Sequence, residues 1–195
     1  MHYNGNYDKR ELGVTKQKDA AEIRRKIKSV AGKNGWGIAV AGALGVIYGL
    51  WQMDIFGMLV GSGVVLTGWN EAHARTLLKS DIGTARTALR LSQIALFLII
   101  TISALLGIHG LENLDTQQYL SGEMKNFILG APNVDMDALQ ELLRRGLLYT
   151  YLGAIALSLF YQGGLFLYYT RKTSHLIKLS KSGQSEEVIN RENLE

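Results

Sequence analysis

Four long apolar stretches without a charged side chain divide this sequence and constrain what it can fold into. They cover residues 36–51, 55–69, 91–108 and 147–169. The last two approach or exceed the ~20 residues that a helix needs to cross a hydrocarbon core of about 30 Å. The pattern predicts an all-α polytopic membrane protein with four transmembrane helices arranged as two helical hairpins.

Charge placement indicates how the two shorter stretches are connected. One helix over 36–69 would be about 50 Å long, too long for the bilayer core, and would place Asp54 inside it. Eighteen of the 21 basic residues fall in 1–35, 70–90 and 171–195. The positive-inside rule places these segments on one side, which requires a hairpin between the first two stretches. A re-entrant hairpin that enters and leaves from the cytoplasm satisfies the same rule.

The resulting organisation has three parts. Residues 1–35 form a basic cytoplasmic arm, 36–170 a four-helix transmembrane domain, and 171–195 a cytoplasmic tail. Within the domain, 70–90 is a cytoplasmic hairpin and 109–146 an external loop. We expect a multi-pass protein of the cell inner (plasma) membrane with both termini in the cytoplasm.

The basic arm contains a helical pattern. Its apolar positions recur at helical spacing: Ala20, Ile23, Ile27 and Val30. Its basic positions lie elsewhere around the turn: Arg24, Arg25, Lys26 and Lys28. This is typical of an amphipathic helix on the inner leaflet, bound to anionic lipid headgroups. The alternative is that the arm is a solvated helix or a flexible segment. Few aromatic residues alternate with its basic residues, and this argues against a nucleic-acid partner.

Small residues repeat every four positions in the first two stretches. They are Gly37, Ala41, Gly45, Gly49, Gly57 and Gly61. Such a repeat forms a groove in which another helix backbone packs closely, within the hairpin or between subunits. The short connection makes the intramolecular pairing the first expectation, although small residues are also generally common in membrane helices.

The polar groups inside the third and fourth stretches are few, and all of them are neutral. Those that we single out are Gln93, Thr101, Ser103, Ser158 and Gln162. Because the four stretches contain no Asp, Glu, Lys or Arg, a self-contained pump or proton relay is disfavoured. We expect Gln162 to form an interhelical hydrogen bond, and a pore lined by such groups in an oligomer is the alternative.

Two further features concern the segments beyond the membrane edge. His73 and His175 are the one candidate metal or haem pair, but the chain has no cysteine, so two polar side chains on the protein surface are the simpler interpretation. The sequence identifies no cofactor and no metal site beyond this pair, and we expect no enzyme activity. Glu71 and Arg75 are spaced to support a helix, and Asp81 is placed to cap the next one.

A run of residues in the cytoplasmic hairpin resembles small bacterial membrane proteins, a resemblance that implies no activity. Its residues are Glu71, Ala72, His73, Ala74, Arg75, Leu77, Leu78, Asp81, Ala85, Arg86, Leu89 and Gln93.

Together these features predict a non-catalytic integral membrane subunit or scaffold. It would pack through small-residue helix faces into a larger membrane assembly, against other membrane subunits or copies of itself. The alternative is a small homo-oligomeric channel or carrier for ions or small solutes. A third hypothesis, a membrane enzyme or cofactor protein, would require His73 and His175 to converge.

Overall fold

The computed structural model describes residues 6–111 and 136–192, which form four α-helices and no strand. Helix α1 spans Asn6–Gln52, α2 spans Ile55–Leu77, α3 spans Ile82–Gly110 and α4 spans Met136–Glu192. The all-α prediction is confirmed for this part of the chain. The middle of the predicted external loop, 112–135, lies outside the described residues.

Three of these helices, α1, α3 and α4, are long and apolar enough to cross a membrane. Their large apolar side chains are widely exposed, as at Leu44, Leu98 and Phe160, the last with 78% of its surface accessible. Continuous apolar surface of this kind is rare on soluble monomers and suits contact with lipid. Helix α2 is not among the three, although it has the same exposed character at Leu59 and Leu66.

The predicted hairpin between the first two stretches is present. Helix α1 ends where Met53 takes a left-handed backbone conformation, with φ of 55°, and the Asp54 amide donates to the Gly49 carbonyl at 2.8 Å. At the opposite end of the hairpin, the rings of Trp36 and Trp69 meet edge to face with centroids 5.9 Å apart. The start of the first stretch and the end of the second therefore lie at the same level.

The N-terminal arm differs from the prediction of a separate helix on the leaflet. Residues 6–52 form one uninterrupted helix. Ile27 has no exposed surface, and Ala20, Ile23 and Val30 pack against the core cluster that contains it. The apolar face of the arm packs against protein, so lipid is not required to cover it.

The core lies mainly in the helix extensions outside the predicted spans. Eight buried residues from the four helices and the turn after α2 form it: Ile27, Ala31, Ala74, Leu78, Ala85, Leu89, Tyr169 and Leu176. The chain divides into two compact units. One contains the chain up to Leu96 and from Gln162 onwards, including this core; the other contains Phe97–Tyr161. In the second unit, the Tyr151 ring lies directly against Gly107.

The predicted hairpin at 70–90 consists of helix extensions joined by a short turn. Helix α2 ends at Leu77 and α3 begins at Ile82. Asp81 accepts a hydrogen bond from the backbone N–H of Thr84 at 3.1 Å, which is the N-cap interaction predicted for it. The hydrogen bonds from Thr84 hold the pKa of this carboxyl below its usual value.

Candidate functional site: a buried carboxyl group shared by four helices

Glu71 is the acidic side chain on which the four helices converge. It lies two residues beyond Trp69, the end of the second apolar stretch, and has no exposed surface. Acidic side chains are rarely buried completely unless they are paired, so this position requires specific partners.

Three helices supply polar groups to the carboxyl of Glu71 on α2. Asn34 of α1 approaches both carboxyl oxygens through Nδ2, at 2.8 Å each. Tyr169 of α4 donates its hydroxyl to Oε1 at 2.5 Å. The Gln93 amide of α3 lies close enough to favour the ionised carboxylate, yet neither its Oε1 nor its Nε2 completes a hydrogen bond by distance and angle.

No basic residue in the described part of the chain forms an ion pair with Glu71. Arg75, one turn further along α2, lies instead across α1, with Nη1 2.8 Å from where a Cβ at Gly32 would stand. The predicted support of α2 by a Glu71–Arg75 pair is therefore replaced by buried hydrogen bonds. Burial raises the pKa of Glu71, and the hydrogen-bond donors oppose this rise without cancelling it.

A second polar link joins α2 and α3 beside the carboxyl. The Asn70 Nδ2 donates to Ser92 Oγ at 2.8 Å, and Ser92 in turn donates to the Ala88 carbonyl at 3.0 Å. Thr173 of α4 is fully buried and donates to the Tyr169 carbonyl at 2.6 Å. These bonds satisfy polar groups next to the junction and fix the side chains that surround Glu71.

The close contact between α1 and α2 follows a glycine seam. It consists of Gly35, Gly42 and Gly49 on α1 and Gly61 and Gly68 on α2. A Cβ at Gly42 would stand 2.6 Å from the Val65 nitrogen, and one at Gly68 would stand 2.5 Å from the Ala39 nitrogen. Real Cβ atoms do not approach backbone this closely, so only glycine permits the contact.

The four-residue register predicted for this contact differs from the structure. Gly49 and Gly61 lie in the seam, and Gly45 reaches it only through an ordinary 3.6 Å approach to the Gly61 Cα. Gly37 and Ala41 face outward, and a Cβ at Gly37 would meet nothing within 4 Å. Gly57 faces the side chain of Asp54 on its own helix.

A seven-residue spacing explains this difference. Seven residues are close to two helical turns, so Gly35, Gly42 and Gly49 drift by only about 20° per step around α1. Four residues overshoot one turn by roughly 40°, and a run such as Gly37, Ala41 and Gly45 winds away from the partner. The seven-residue repeat was available in the sequence as the signal for the seam.

The remaining polar residues singled out from the sequence have separate environments. Ser158 and Gln162 are buried, while Thr101 and Ser103 are partly buried, and Ser103 donates to the Ile99 carbonyl at 2.7 Å. The Oγ1 of Thr101, the Oγ of Ser158 and the Oε1 of Gln162 have no hydrogen-bond partner. Gln93 is the one member of the set that lies at the carboxyl junction.

The basic and histidine candidates lie around the outside of the helices. Arg25 and Lys26 are exposed, and Lys26 pairs with Glu22 at 2.7 Å. Lys28 lies near Arg24 of α1 and Lys79 of the turn after α2, whose charges repel its own. The other candidates, His73 and His175, are both exposed. Within 6–111 and 136–192, no three His, Cys, Asp or Glu side chains are grouped to hold a metal ion.

This arrangement is suited to holding or exchanging a proton and to locking four helices in register. The sequence did not indicate this junction, because Glu71 lies two positions beyond the second apolar stretch and has a basic residue four positions later, a pattern typical of a solvated helix surface. Comparison with protein-family models, with curated proteins and with solved structures finds no match to this chain.

Proposed function

We propose that the chain is a non-catalytic integral membrane subunit or scaffold that packs against other membrane subunits in a larger assembly. Its site would be the bacterial inner membrane, with four spans and both termini in the cytoplasm. The observation that carries the proposal is a face of α4 that no part of the described chain covers.

That face combines open glycines with exposed large side chains. A Cβ at Gly146 or Gly153, seven residues apart, would meet nothing within 4 Å. Tyr149, Leu157 and Phe160 beside them are all exposed. Inside the hairpin, glycines at this spacing admit a neighbouring backbone, so the uncovered pair on α4 provides equivalent room for a helix from another chain.

The placement of the intramembrane polar groups supports a scaffold over the channel alternative. A pore between copies of the chain would need polar side chains on an outer helix face. Ser158 and Gln162 are instead 6% and 5% exposed within the single chain. Buried hydroxyl and amide groups in membrane helices ordinarily stabilise packing.

The cytoplasmic charges support an anionic membrane surface as a further partner. The positive charges of Lys28 and Arg24 on α1 lie close to that of Lys79 in the turn after α2. Such clusters beside a span bind the negatively charged headgroups of the inner leaflet. The same charges support cytoplasmic termini, and the paired Trp36 and Trp69 support a first hairpin that lies fully within the bilayer.

Native mass spectrometry of the protein, extracted from its own membranes in a mild detergent, tests the proposal. We expect a defined complex that contains other polypeptides. Gly153→Leu should reduce that complex several-fold while leaving the thermal stability of the isolated chain unchanged, since the added side chain has open space. Gly110→Leu is the matched control, because a Cβ at Gly110 also meets nothing within 4 Å.

The outcomes separate the two functions. Extraction of a homo-oligomer alone would contradict the subunit proposal and favour the channel, for which Gln162→Leu should alter solute flux into liposomes. A complex that survives Gly153→Leu at the wild-type level would show that α4 does not provide the contact.

A further inference from the structure

We infer that Glu71 is a proton-binding site, occupied at neutral pH, and that the bound proton is donated to Oε1 of Gln93. This assigns a reversible chemical state to the four-helix junction, which the scaffold function does not require. It rests on the geometry of Glu71, Asn34, Gln93 and Tyr169, and it stands whether or not the chain has protein partners.

The first argument is the absence of a counter-charge among the described residues. The basic residues closest in sequence to the four groups are Arg75 on α2, Lys33 on α1, Arg90 on α3 and Arg171 on α4. None of them forms an ion pair with Glu71, and Arg90 stacks over the Phe166 ring at 4.7 Å instead. A fully buried carboxylate without a cation is costly, and taking up a proton removes that cost.

The second argument is the balance of donors and acceptors. Oε1 of Glu71 accepts from both Tyr169 and Asn34, whereas Oε2 accepts from Asn34 alone. Gln93 is 1% exposed and leaves both polar atoms of its amide unpaired. A proton on Oε2 supplies the missing donor for Gln93 Oε1, so one hydrogen satisfies two buried groups.

The effect of burial on the carboxyl agrees with this assignment. Removal from water raises the pKa of Glu71, and it is the largest influence on the group. The donors Tyr169, Asn34 and Gln93 act in the opposite direction. In the described part of the chain, the causes of the shift are burial and these three neutral donors, and no charged side chain is among them.

Gln93 can serve both protonation states. When Glu71 loses its proton to solvent, only the O–H bond breaks, and the carboxylate then requires a donor. Rotation of the Gln93 amide by half a turn presents Nε2 in place of Oε1. Because the carboxyl contacts groups on all four helices, uptake and release of this proton act directly on their packing at the cytoplasmic edge of the spans.

Infrared spectroscopy of the full chain in lipid nanodiscs at pH 7 tests the site without a mutation. Exposed carboxyl groups are ionised at this pH, so a carbonyl band of a protonated carboxylic acid reports a buried one. We expect the band, and we expect it to shift when the protein is labelled with ¹³C-glutamate but not with ¹³C-aspartate.

Two variants assign the band to Glu71. Glu71→Gln should remove it, while the matched control Asp81→Asn should leave it unchanged, since Asp81 is exposed and ionised. Gln93→Leu removes the acceptor and should move the band to higher frequency; this variant carries the assignment if Glu71→Gln does not fold. A labelled spectrum without a glutamic acid band at pH 7 overturns the proposal, as does a band that neither variant alters.

Stability provides a second readout. The folded junction favours the neutral carboxyl group, so the pKa of Glu71 is higher in the folded state than the ordinary value of 4.5. The contribution of Glu71 to the free energy of unfolding is therefore fully present below pH 4.5 and is lost as pH rises through the pKa of the folded state. Relative to Glu71→Gln, the wild type should therefore lose thermal stability with rising pH. A difference that instead grows in favour of the wild type at high pH would show that the folded site prefers the carboxylate and would overturn the proposal.

Discussion

Tyr169 of α4 donates a hydrogen bond of 2.5 Å to Oε1 of Glu71 on α2, 98 positions earlier in the chain. Both residues are without exposed surface. The bond joins the last residue of the fourth apolar stretch to a residue two positions beyond the second. It therefore ties α4 to α2 where the helices leave the predicted spans.

Tyr169→Phe should destabilise the protein by about 1–3 kcal/mol, because it leaves Glu71 buried with one donor fewer while keeping the ring volume. It should also raise the pKa of Glu71 further. Thermal unfolding followed by circular dichroism measures the first effect. Tyr149→Phe is the control, since Tyr149 is exposed. Equal midpoints for the two variants would contradict a structural role for the bond.

Gly42→Leu should open the contact between α1 and α2 and cost about 1–3 kcal/mol through overpacking. The added side chain would meet the Val65 nitrogen and the Gly61 carbonyl oxygen. Gly37→Leu, five residues earlier on the same helix, enters open space and should have little effect. Thermal unfolding midpoints of the two variants decide between the two registers. The seven-residue register predicts the larger loss of stability for Gly42→Leu, and the four-residue register predicts it for Gly37→Leu.

Leu89→Ala should cost about 2–5 kcal/mol because it creates a cavity in the core cluster. Leu91, two residues later, is 56% exposed, whereas Leu89 has no exposed surface. Leu91→Ala should therefore cost less than about 1 kcal/mol. Similar losses for both variants would mean that the helix extensions do not form the main core.

Asp81→Ala should lower the thermal midpoint, since the Thr84 amide at the start of α3 loses its acceptor. Asp81→Asn keeps an acceptor and should be milder. The pKa of Asp81 is lower in the folded state than its ordinary value of 3.8. Its contribution to the free energy of unfolding is therefore present above pH 3.8 and is lost as pH falls through the pKa of the folded state. The difference in thermal midpoint between wild type and Asp81→Asn should accordingly become smaller in acid. A difference that does not change with pH would contradict this prediction.

The sequence by itself predicted the apolar helical segments and the turns that separate the first three helices. Apolar stretches without charges determine which residues form long helices suited to lipid, because the bilayer core accepts few charges. The three residues between positions 51 and 55 required a tight turn, and Asp81 indicated the start of α3. These features are local, so they can be predicted from spacing and residue type.

Which helix faces meet was decided only by the tertiary structure. The seam at Gly35, Gly42 and Gly68 depends on the relative rotation of α1 and α2, which small residues on several faces of α1 leave open. The sequence also left open whether lipid or protein covers the apolar face of the arm around Ile27, because an apolar helix face can pack against either. Its burial followed from three other helices extending to the same level.

Glu71 shows most clearly the difference between what the sequence predicts and what tertiary packing decides. From the sequence it is a polar residue at the edge of an apolar stretch, four positions before Arg75, and this pattern favours a solvated ion pair. In the folded chain, Asn34, Gln93 and Tyr169 surround it and exclude water. Burial depends on what lies across from a side chain, and the sequence of α2 does not contain that information. The sequence thus determined the helices and their expected sides of the membrane, while tertiary packing decided that this carboxyl group is buried.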